Sequence, residues 1–469
     1  MKRIYLMGIT MLLAVFTLTS CDDFLDITPT GKVIAKTGKE YRALLTYEYK
    51  NFPEDRGLST LRGDEMTLSN ASISEEDRNS YFDIWAWKDG EQQSTTVSFG
   101  WRRYYHAIYI ANYIIEHQAS ITEATTDEIN QMVGEAYMMR AYCHFLLANL
   151  YAEPYTHCNP ATTRGIPLSL KADVNAVLSC SSLETVYQQV VDDLLNAKKH
   201  LTKDTWEEGY TYRFNKISAD ALLARVYLYK GDWQNALDAA KTVIEQHGAL
   251  EDLTTSKVLP NYYKSVENIV ALEQVMTSGY VKIGEPNNAL IDSYRIGDKR
   301  KALYFKAVTA SNYSVIKFGA NGNDGYRCSF RSAEAYLIAA EAVANLAEDN
   351  AAATDEKLTE ARTYLKELMA KRYVSVKYNT YAEKLDNMQK ADLLKAIYNE
   401  RTAEFAFEGH RWFDLRRTTR PALSKSYKEK IGDKEIVHNF ELNENDSRYT
   451  LRFPTEAVEA NPEIENWNN

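Results

Sequence analysis

Two segments of the chain place small residues at the spacing at which two packed helices cross closely. In residues 217–247, one predicted helix ends at Gly231-Asp232 and a second begins at Trp233. Apolar or small side chains recur on both helices at offsets of three and four, namely Ala224, Tyr227, Ala236, Leu237, Ala240 and Val243. A similar pattern returns in residues 331–372, and both segments predict tetratricopeptide-like helix hairpins.

A third pair of periodic segments extends this scaffold. Residues 135–150 are mostly apolar, with Arg140 as a charged exception within the run, and residues 183–201 repeat apolar side chains at helical spacing. We therefore predict a mainly α fold, with helix hairpins near 99–248 and 331–417.

The segments between the hairpins have a different composition. Residues 51–97 and 249–330 are polar, aromatic and largely aperiodic, which predicts irregular, loop-rich structure. The chain has 33 Tyr against 15 Phe. Because Tyr combines a flat apolar face with a polar tip, this excess suits a wet binding surface.

The charge balance narrows the class of partner. Lys and Arg together number 55 and Asp and Glu 65 in 469 residues, which gives a net charge of −10. Phosphate binding needs clustered basic residues, so a nucleic-acid partner is not expected.

The N-terminus has the features of a secretory signal peptide. Lys2 and Arg3 precede an apolar run over residues 4–18, and Leu-Thr-Ser-Cys follows, ending at Cys21. This ending resembles a bacterial lipoprotein box, in which cleavage before the cysteine is coupled to lipidation of its thiol. An ordinary signal peptide followed by an incidental Cys is the alternative. The predicted organisation is a signal peptide at 1–20, a tether at 21–37 and a single domain at 38–469.

Metal and catalytic motifs are not found in the sequence. The His residues are scattered singly, no Cys or His cluster has zinc spacing, and we predict neither a metal nor a cofactor. Cys143 lies in an apolar helical pattern and is expected to be a buried thiol. Cys158 and Cys180 share a loop region and are candidates for a disulfide.

Three carboxylates, Glu400, Glu404 and Glu408, are spaced by four and share one face of a predicted helix. Two of them could serve as the acid and base of a glycoside hydrolase. We favour a structural charge network, because neighbouring Arg residues hold carboxylates ionised, whereas a general acid needs a raised pKa.

Several motifs, taken in order, resemble one known family. The C-terminal segment 399–417 reads NERTAEFAFEGHRWFDLRR, and the segment 331–342 reads RSAEAYLIAAEA. The start CDDFLD at 21–26 and the helix EAYMMRAY at 135–142 fit the same family. Together they resemble the SusD/RagB family over nearly the whole chain. The tail departs from the family pattern, since Arg452 stands where a second Pro is usual before Pro454.

The resemblance implies a lipoprotein exposed on the outer membrane and anchored through Cys21. Members bind oligosaccharide or polysaccharide nutrients, or sometimes peptides, and deliver them to a TonB-dependent SusC-like transporter. The family fold is an α-helical scaffold of tetratricopeptide-like hairpins with a loop-rich half that binds the ligand. The resemblance also implies that the segment from Glu408 to Arg417 is structural.

Carbohydrate rings have apolar faces and many hydroxyls, so we sought aromatic residues with polar neighbours in the irregular regions. Trp85 and Trp87 lie in aperiodic sequence and are the main candidates for sugar stacking. The remaining predicted ligand residues are Tyr81, Asp64, Tyr280 and Tyr294, with Arg62, Glu65, Tyr262 and Tyr263 as further candidates. Trp101 and Tyr104 have helical spacing and are expected in the core.

Four functions compete at this stage. A glycan-binding import lipoprotein is the leading hypothesis, and a peptide-binding RagB-like lipoprotein is the first alternative. A charged cleft without an exposed Trp would favour peptides. A surface glycoside hydrolase using Glu404 and Glu408 and a structural subunit without a ligand are the others.

Overall fold

The computed structural model describes residues 35–68, 74–90, 92–277, 279, 283–310, 312–319, 324–431 and 434–464. The predicted signal peptide, Cys21 and Tyr280 lie outside the described residues. The domain boundaries drawn from the sequence therefore stay a prediction.

Helices dominate the described residues, as predicted. They are α1 (Gly38–Lys50), α2 (Asp55–Thr60), α3 (Glu75–Trp85), α4 (Trp101–His117), α5 (Thr126–Tyr151), α6 (Leu183–His200), α7 (Lys216–Lys230), α8 (Trp233–His247), α9 (Asn288–Ser293), α10 (Lys299–Tyr304), α11 (Ser332–Leu346), α12 (Glu356–Ala370), α13 (Ser375–Asp386), α14 (Lys390–Glu404), α15 (Arg411–Arg417) and α16 (Thr455–Ala460). None of them is both long enough and apolar enough to cross a membrane.

Short strands form antiparallel two-stranded sheets among the loops. The strands are β1 (Met66–Leu68), β2 (Arg164–Pro167), β3 (Cys180–Ser182), β4 (Asn268–Val270), β5 (Gly284–Pro286), β6 (Phe305–Ala307), β7 (Tyr313–Val315), β8 (Phe330–Arg331), β9 (Leu423–Ile431) and β10 (Lys434–Leu442). Their pairs are β1 with β5, β2 with β3, β4 with β8, β6 with β7, and β9 with β10.

The predicted helix pairs pack against each other in the structure. Helix α5 packs on α6, α7 on α8, and α11 on α12, with α11 also against α8. The turn between α7 and α8 depends on Gly231, whose φ of 70° is a left-handed conformation that costs glycine little. The helical hairpins are thus present, and their tetratricopeptide geometry stays a prediction.

Helix α5 runs through the main core and is buried along most of its length. It starts with a capping box, in which the Thr125 hydroxyl accepts from the Glu128 N–H while the Glu128 carboxylate accepts from the Thr125 N–H. Gly134 allows the end of α6 to approach α5, because a Cβ there would lie 2.7 Å from the backbone nitrogen of Leu201. Trp101 and Tyr104 are buried against the same core, as predicted.

The cysteine predictions have different outcomes. Cys143 is a buried thiol, as predicted. Cys158 and Cys180 are both free thiols in the structure, so the disulfide considered for them is not formed.

A buried ion cluster joins the loop-rich half to the C-terminal helices. The buried ion cluster consists of Glu267, Arg331, Arg372, Glu404 and Glu408. Arg331 lies 2.7 Å from Glu404 and 2.9 Å from Glu408, and Arg372 lies 2.6 Å from Glu267 and 2.8 Å from Glu404. All five side chains are almost fully buried. Buried charges are tolerated only when paired in this way, so the cluster fixes the relative positions of these segments.

Candidate ligand-binding site

A polar cleft of about 450 Å³ lies in the loop-rich half, between the β1–β5 pair and the strand β9. Its lining residues are Gly63, Asp64, Met66, Thr67, Leu68, Glu285, Pro286, Asn287, Asn288, Asn312, Leu423, Ser424, Lys425, Ser426 and Lys428. We call it the polar cleft. Of the predicted ligand residues, Asp64 is in this lining.

The sequence of β9 explains one wall of the cleft. Side chains of a strand alternate between its two faces. Ser424, Ser426 and Lys428 are exposed, whereas Lys425 is buried and Tyr427 half-buried. The strand therefore turns hydroxyls toward solvent and the cleft, and anchors itself through the opposite face.

The charged side chains of the cleft are largely paired within the protein. Arg411 donates two hydrogen bonds to the carboxylate of Asp64, at 2.8 and 2.7 Å. Burial alone would raise the pKa of Asp64, but Arg411 outweighs it and lowers that pKa below its ordinary value. Lys428 forms an ion pair of 2.8 Å with Glu435 on β10.

Amide and hydroxyl groups provide the remaining binding capacity of the cleft. Asn287 caps α9, where its side chain accepts from the N–H of Ala289 at 3.0 Å. The next residue, Asn288, has an exposed side chain, and Ser424 on β9 is an exposed residue of the same lining. Groups of this kind donate to and accept from hydroxyls, which is what an uncharged sugar presents.

Trp85 and Trp87 are buried, with 0% and 1% of their surface exposed. Their indole N–H groups donate to the backbone carbonyls of Met66 and Arg62. The Nζ atom of Lys425 lies 3.9 Å from the centre of the Trp87 ring and 5.4 Å from that of Trp85. The prediction of an exposed stacking platform is therefore wrong, because a lysine from β9 covers the rings.

Three other predicted residues are also unavailable to a ligand. The ring of Tyr294 is buried, and its hydroxyl donates to the carbonyl of Ala403 at 2.8 Å. Arg62 is buried in a double hydrogen bond to Asp89. Glu65 is buried and accepts from the N–H of Phe407, and burial raises its pKa to about 8. Each of these side chains is buried and hydrogen-bonded within the protein, which contradicts the prediction that it contacts the ligand.

The other predicted tyrosines differ in position. Tyr81 is half-buried and lies close to Gly279, where a Cβ would be 2.6 Å from the tyrosine oxygen. Tyr262 and Tyr263 are partly exposed, with ring centres 4.8 Å apart. A direct ligand contact by Tyr81, as by Asp64, stays a proposal.

Sequence reasoning missed the residues of the cleft apart from Asp64. The alternation Ser424-Lys425-Ser426-Tyr427 was the available signal, since it is typical of a strand with one exposed face. Asn287 and Asn288 precede a short helix, which is the usual place of a capping Asn. Neither pattern identifies a cleft, because the cleft forms only when β9 packs near the β1–β5 pair in the folded chain.

Comparison with known proteins assigns the chain to a family. A family model described as "SusD family" matches residues 179–468. The chain belongs to the SusD family. A second model, described as "Starch-binding associating with outer membrane", matches residues 23–228.

Individual SusD-family relatives cover nearly the whole chain. SusD-like protein P2 of Formosa agariphila is 22% identical, over 87% of this chain and 90% of the relative. A solved SusD superfamily protein from Bacteroides fragilis has 22% identity and a TM-score of 0.73, covering 92% of this chain and 100% of its own. A solved laminarin-binding SusD-like protein has 18% identity and a TM-score of 0.63, covering 92% and 100%.

The carboxylates considered for hydrolysis have structural positions in this SusD-family chain. Glu404 and Glu408 belong to the buried ion cluster, and Glu400 pairs with Arg300 at 2.7 Å. Burial alone would raise the pKa of Glu404, but Arg372 and Arg331 outweigh it and hold that pKa well below its ordinary value. The predicted charge network is present, and the burial and pairing of Glu404 and Glu408 oppose the acid–base role considered for them. Among the described residues, no group of three His, Cys, Asp or Glu is placed to hold a metal ion.

Proposed function

We propose that this SusD-family chain is a cell-surface lipoprotein that binds oligosaccharide or polysaccharide in the polar cleft. The observation that carries the proposal is the cleft itself, whose exposed groups on either side are the amide of Asn288 and the hydroxyls of Ser424 and Ser426. The match to a starch-binding family model and the structural likeness to a laminarin-binding protein support a glycan as the ligand.

We further propose that Cys21 carries the lipid anchor and that the bound glycan passes to a SusC-like TonB-dependent transporter in the outer membrane. The segment Leu-Thr-Ser-Cys directly after the apolar run supports the anchor. An acylated cysteine gains about 0.8 kcal/mol for each methylene buried in the membrane, so multiple acylation gives a stable attachment. The description of the N-terminal family model supports the outer membrane as the location.

The cleft is tested by affinity electrophoresis in native gels that contain laminarin, starch, xylan or mannan. We expect at least one glycan to retard the purified full chain. The variant Asn288→Ala/Ser424→Ala is expected to bind about tenfold more weakly, because it removes two groups that hydrogen-bond to sugar hydroxyls. Asn379→Ala is the matched control, since Asn379 is exposed on α13 and outside the cleft.

Two results would contradict this proposal. Retardation by none of the glycans would remove the glycan-binding function. Equal retardation of wild type and the cleft variant would leave glycan binding in place but would exclude the polar cleft.

A peptide is the second candidate ligand, and one observation favours it. The cleft contains the charged residues Glu285 and Lys428, and among the described residues its lining has no aromatic ring. The backbone amides of a peptide would find hydrogen-bond partners among the amide and hydroxyl groups there. Isothermal titration with a mixed peptide digest separates the two functions, since heat of binding with peptides and none with glycans would assign the cleft to peptide import.

A further inference from the structure

The loop between α6 and α7 carries three aromatic side chains at the surface. Trp206, Tyr210 and Tyr212 lie in residues 201–215, which contain no helix or strand. Tyr210 is 45% exposed, and Trp206 and Tyr212 are partly exposed. Packing does not require large rings at the surface of a loop, whereas binding surfaces use them.

Two of these rings, Trp206 and Tyr212, are held by contacts within the protein. The indole N–H of Trp206 donates to the carbonyl of Phe214 at 3.0 Å. The guanidinium of Arg213 lies 3.6 Å from the centre of the Trp206 ring, and Arg213 is itself paired with the buried Glu135 at 2.7 Å. The ring of Tyr212 packs edge-on against the buried Tyr49, with centres 5.4 Å apart. A surface ordered before binding loses little conformational entropy when a ligand arrives.

Glu208 joins this loop to a second group of rings. The hydroxyl of Tyr263 donates to the Glu208 carboxylate at 3.0 Å, and Lys264 forms an ion pair with Glu208 at 2.5 Å. Tyr262 packs against Tyr263 and also against Tyr326, with ring centres 5.3 Å apart in the second case. The loop rings are 6.5 Å apart between Trp206 and Tyr210 and 6.4 Å between Tyr210 and Tyr212. The result is an extended row of partly exposed rings.

The charges around this row are balanced. Lys216 pairs with Asp204 at 2.9 Å, Lys264 with Glu208, and Arg213 with Glu135. The loop adds exposed Lys203 and Glu207, which have opposite signs. A row of rings without a net field of either sign suits an uncharged ligand with repeated apolar faces.

We propose that Trp206, Tyr210, Tyr212, Tyr262 and Tyr263 form a second glycan-binding surface, which takes a neutral polysaccharide by stacking on successive rings. We call it the aromatic surface. None of its residues lines the polar cleft. The inference rests on glycan binding as the proposed function, and it assigns to this surface the stacking that the buried Trp85 and Trp87 do not provide.

The test compares a double and a single variant in the same native gels with laminarin and starch. Trp206→Ala/Tyr210→Ala is expected to weaken retardation of the purified full chain by about tenfold, because each stacking ring contributes to binding. Tyr210→Ala alone is expected to weaken it by about threefold, and it removes no hydrogen bond that holds the loop. The matched control is Tyr47→Ala, which deletes a ring that is 52% exposed on α1.

The outcomes separate the two sites. If both Tyr210→Ala and the double variant bind like wild type, the aromatic surface is excluded. Loss of binding in the cleft variant Asn288→Ala/Ser424→Ala alone would at the same time support the proposed function. If no glycan retards wild type, the proposed function fails and the inference fails with it. Thermal unfolding of each variant shows whether a loss of binding reflects a loss of folding, and Tyr210→Ala decides the case if only the double variant is unstable.

Discussion

At the scale of single residues, His144 is a buried base in an apolar helix. It lies on α5 with no exposed surface, and neither ring nitrogen has a hydrogen-bond partner among the described residues. Burial lowers its pKa from 6.5 to about 3, and the charge of Arg140 adds to the effect. The neutral imidazole is therefore the form that the folded protein accepts.

We expect His144 to make the protein sensitive to acid. The pKa of His144 is lower in the folded than in the unfolded chain. Between pH 6.5 and 3 the unfolded chain therefore binds a proton that the folded chain does not, and the free energy of unfolding falls. At pH 5 the lost free energy of unfolding is about 2 kcal/mol. Urea denaturation of His144→Leu at pH 7 and pH 5 should show a smaller acid loss than wild type.

The matched control for this measurement is His157→Leu, which changes an exposed histidine. Equal acid loss in wild type and His144→Leu would contradict the prediction. If His157→Leu instead reduces the fall in the free energy of unfolding between pH 7 and pH 5, the effect comes from the exposed histidine.

At the scale of elements, Lys425 fastens the hairpin β9–β10 to the loop-rich half. Its ammonium donates to the carbonyls of Leu61 and Trp85 at 2.7 and 3.0 Å and lies against the ring of Trp87. Burial lowers the pKa of Lys425 well below its ordinary value, and Arg62 lowers it further. The amine of Lys425 thus lies between two backbone carbonyls and the rings of Trp85 and Trp87.

The variant Lys425→Met is expected to lower the free energy of unfolding by about 2–3 kcal/mol, because two buried carbonyls lose their donor. Lys428→Met is the matched control on the opposite face of β9 and should change stability by about 0.5 kcal/mol or less. Urea denaturation measures both. Equal stability of Lys425→Met and Lys428→Met would show that the ammonium does not hold the hairpin.

The elements also show what the sequence could predict. The helix pairs were predictable because periodicity and the Gly231 turn act within a few residues of each other. The burial of Trp85 was not, because the Lys425 that covers it is 340 residues away in the chain. The loop aromatics Trp206 and Tyr210 also lie in an aromatic-rich aperiodic segment, but this segment falls within the range predicted for helix hairpins, where aromatic residues are expected to pack in the core.

At the scale of the whole molecule, the buried ion cluster supports the packing of the two halves. We expect Glu404→Gln to lower the free energy of unfolding by about 3–5 kcal/mol, because it leaves buried guanidinium groups without their carboxylate. Guanidinium denaturation measures the change. Glu360→Gln, which breaks a half-exposed pair with Lys241, is the control and should cost about 0.5 kcal/mol or less. A Glu404→Gln protein as stable as the control would contradict a structural role for the cluster.

The same cluster contributes to acid sensitivity with a definite sign. Burial opposes ionisation of Glu404 and Glu408, yet their cationic partners hold both pKa values below the ordinary range. Their stabilisation is therefore present above the unfolded pKa of a glutamate and is lost as the pH falls through the folded values. The stability that Glu404 and Glu408 contribute is therefore lost at a lower pH than the pH at which the destabilisation by His144 begins.

The order of the ion cluster along the chain has a consequence for how the protein reaches its folded state. Glu267 and Arg372 are 105 residues apart, and the carboxylates of Glu404 and Glu408 come later still. A polypeptide that emerges with its N-terminus first presents Arg331 and Arg372 before those acids are available. Until Glu404 and Glu408 are present, Glu267 is the one carboxylate of the cluster that can pair with these two guanidinium groups, so the ion cluster is completed by the C-terminal part of the chain.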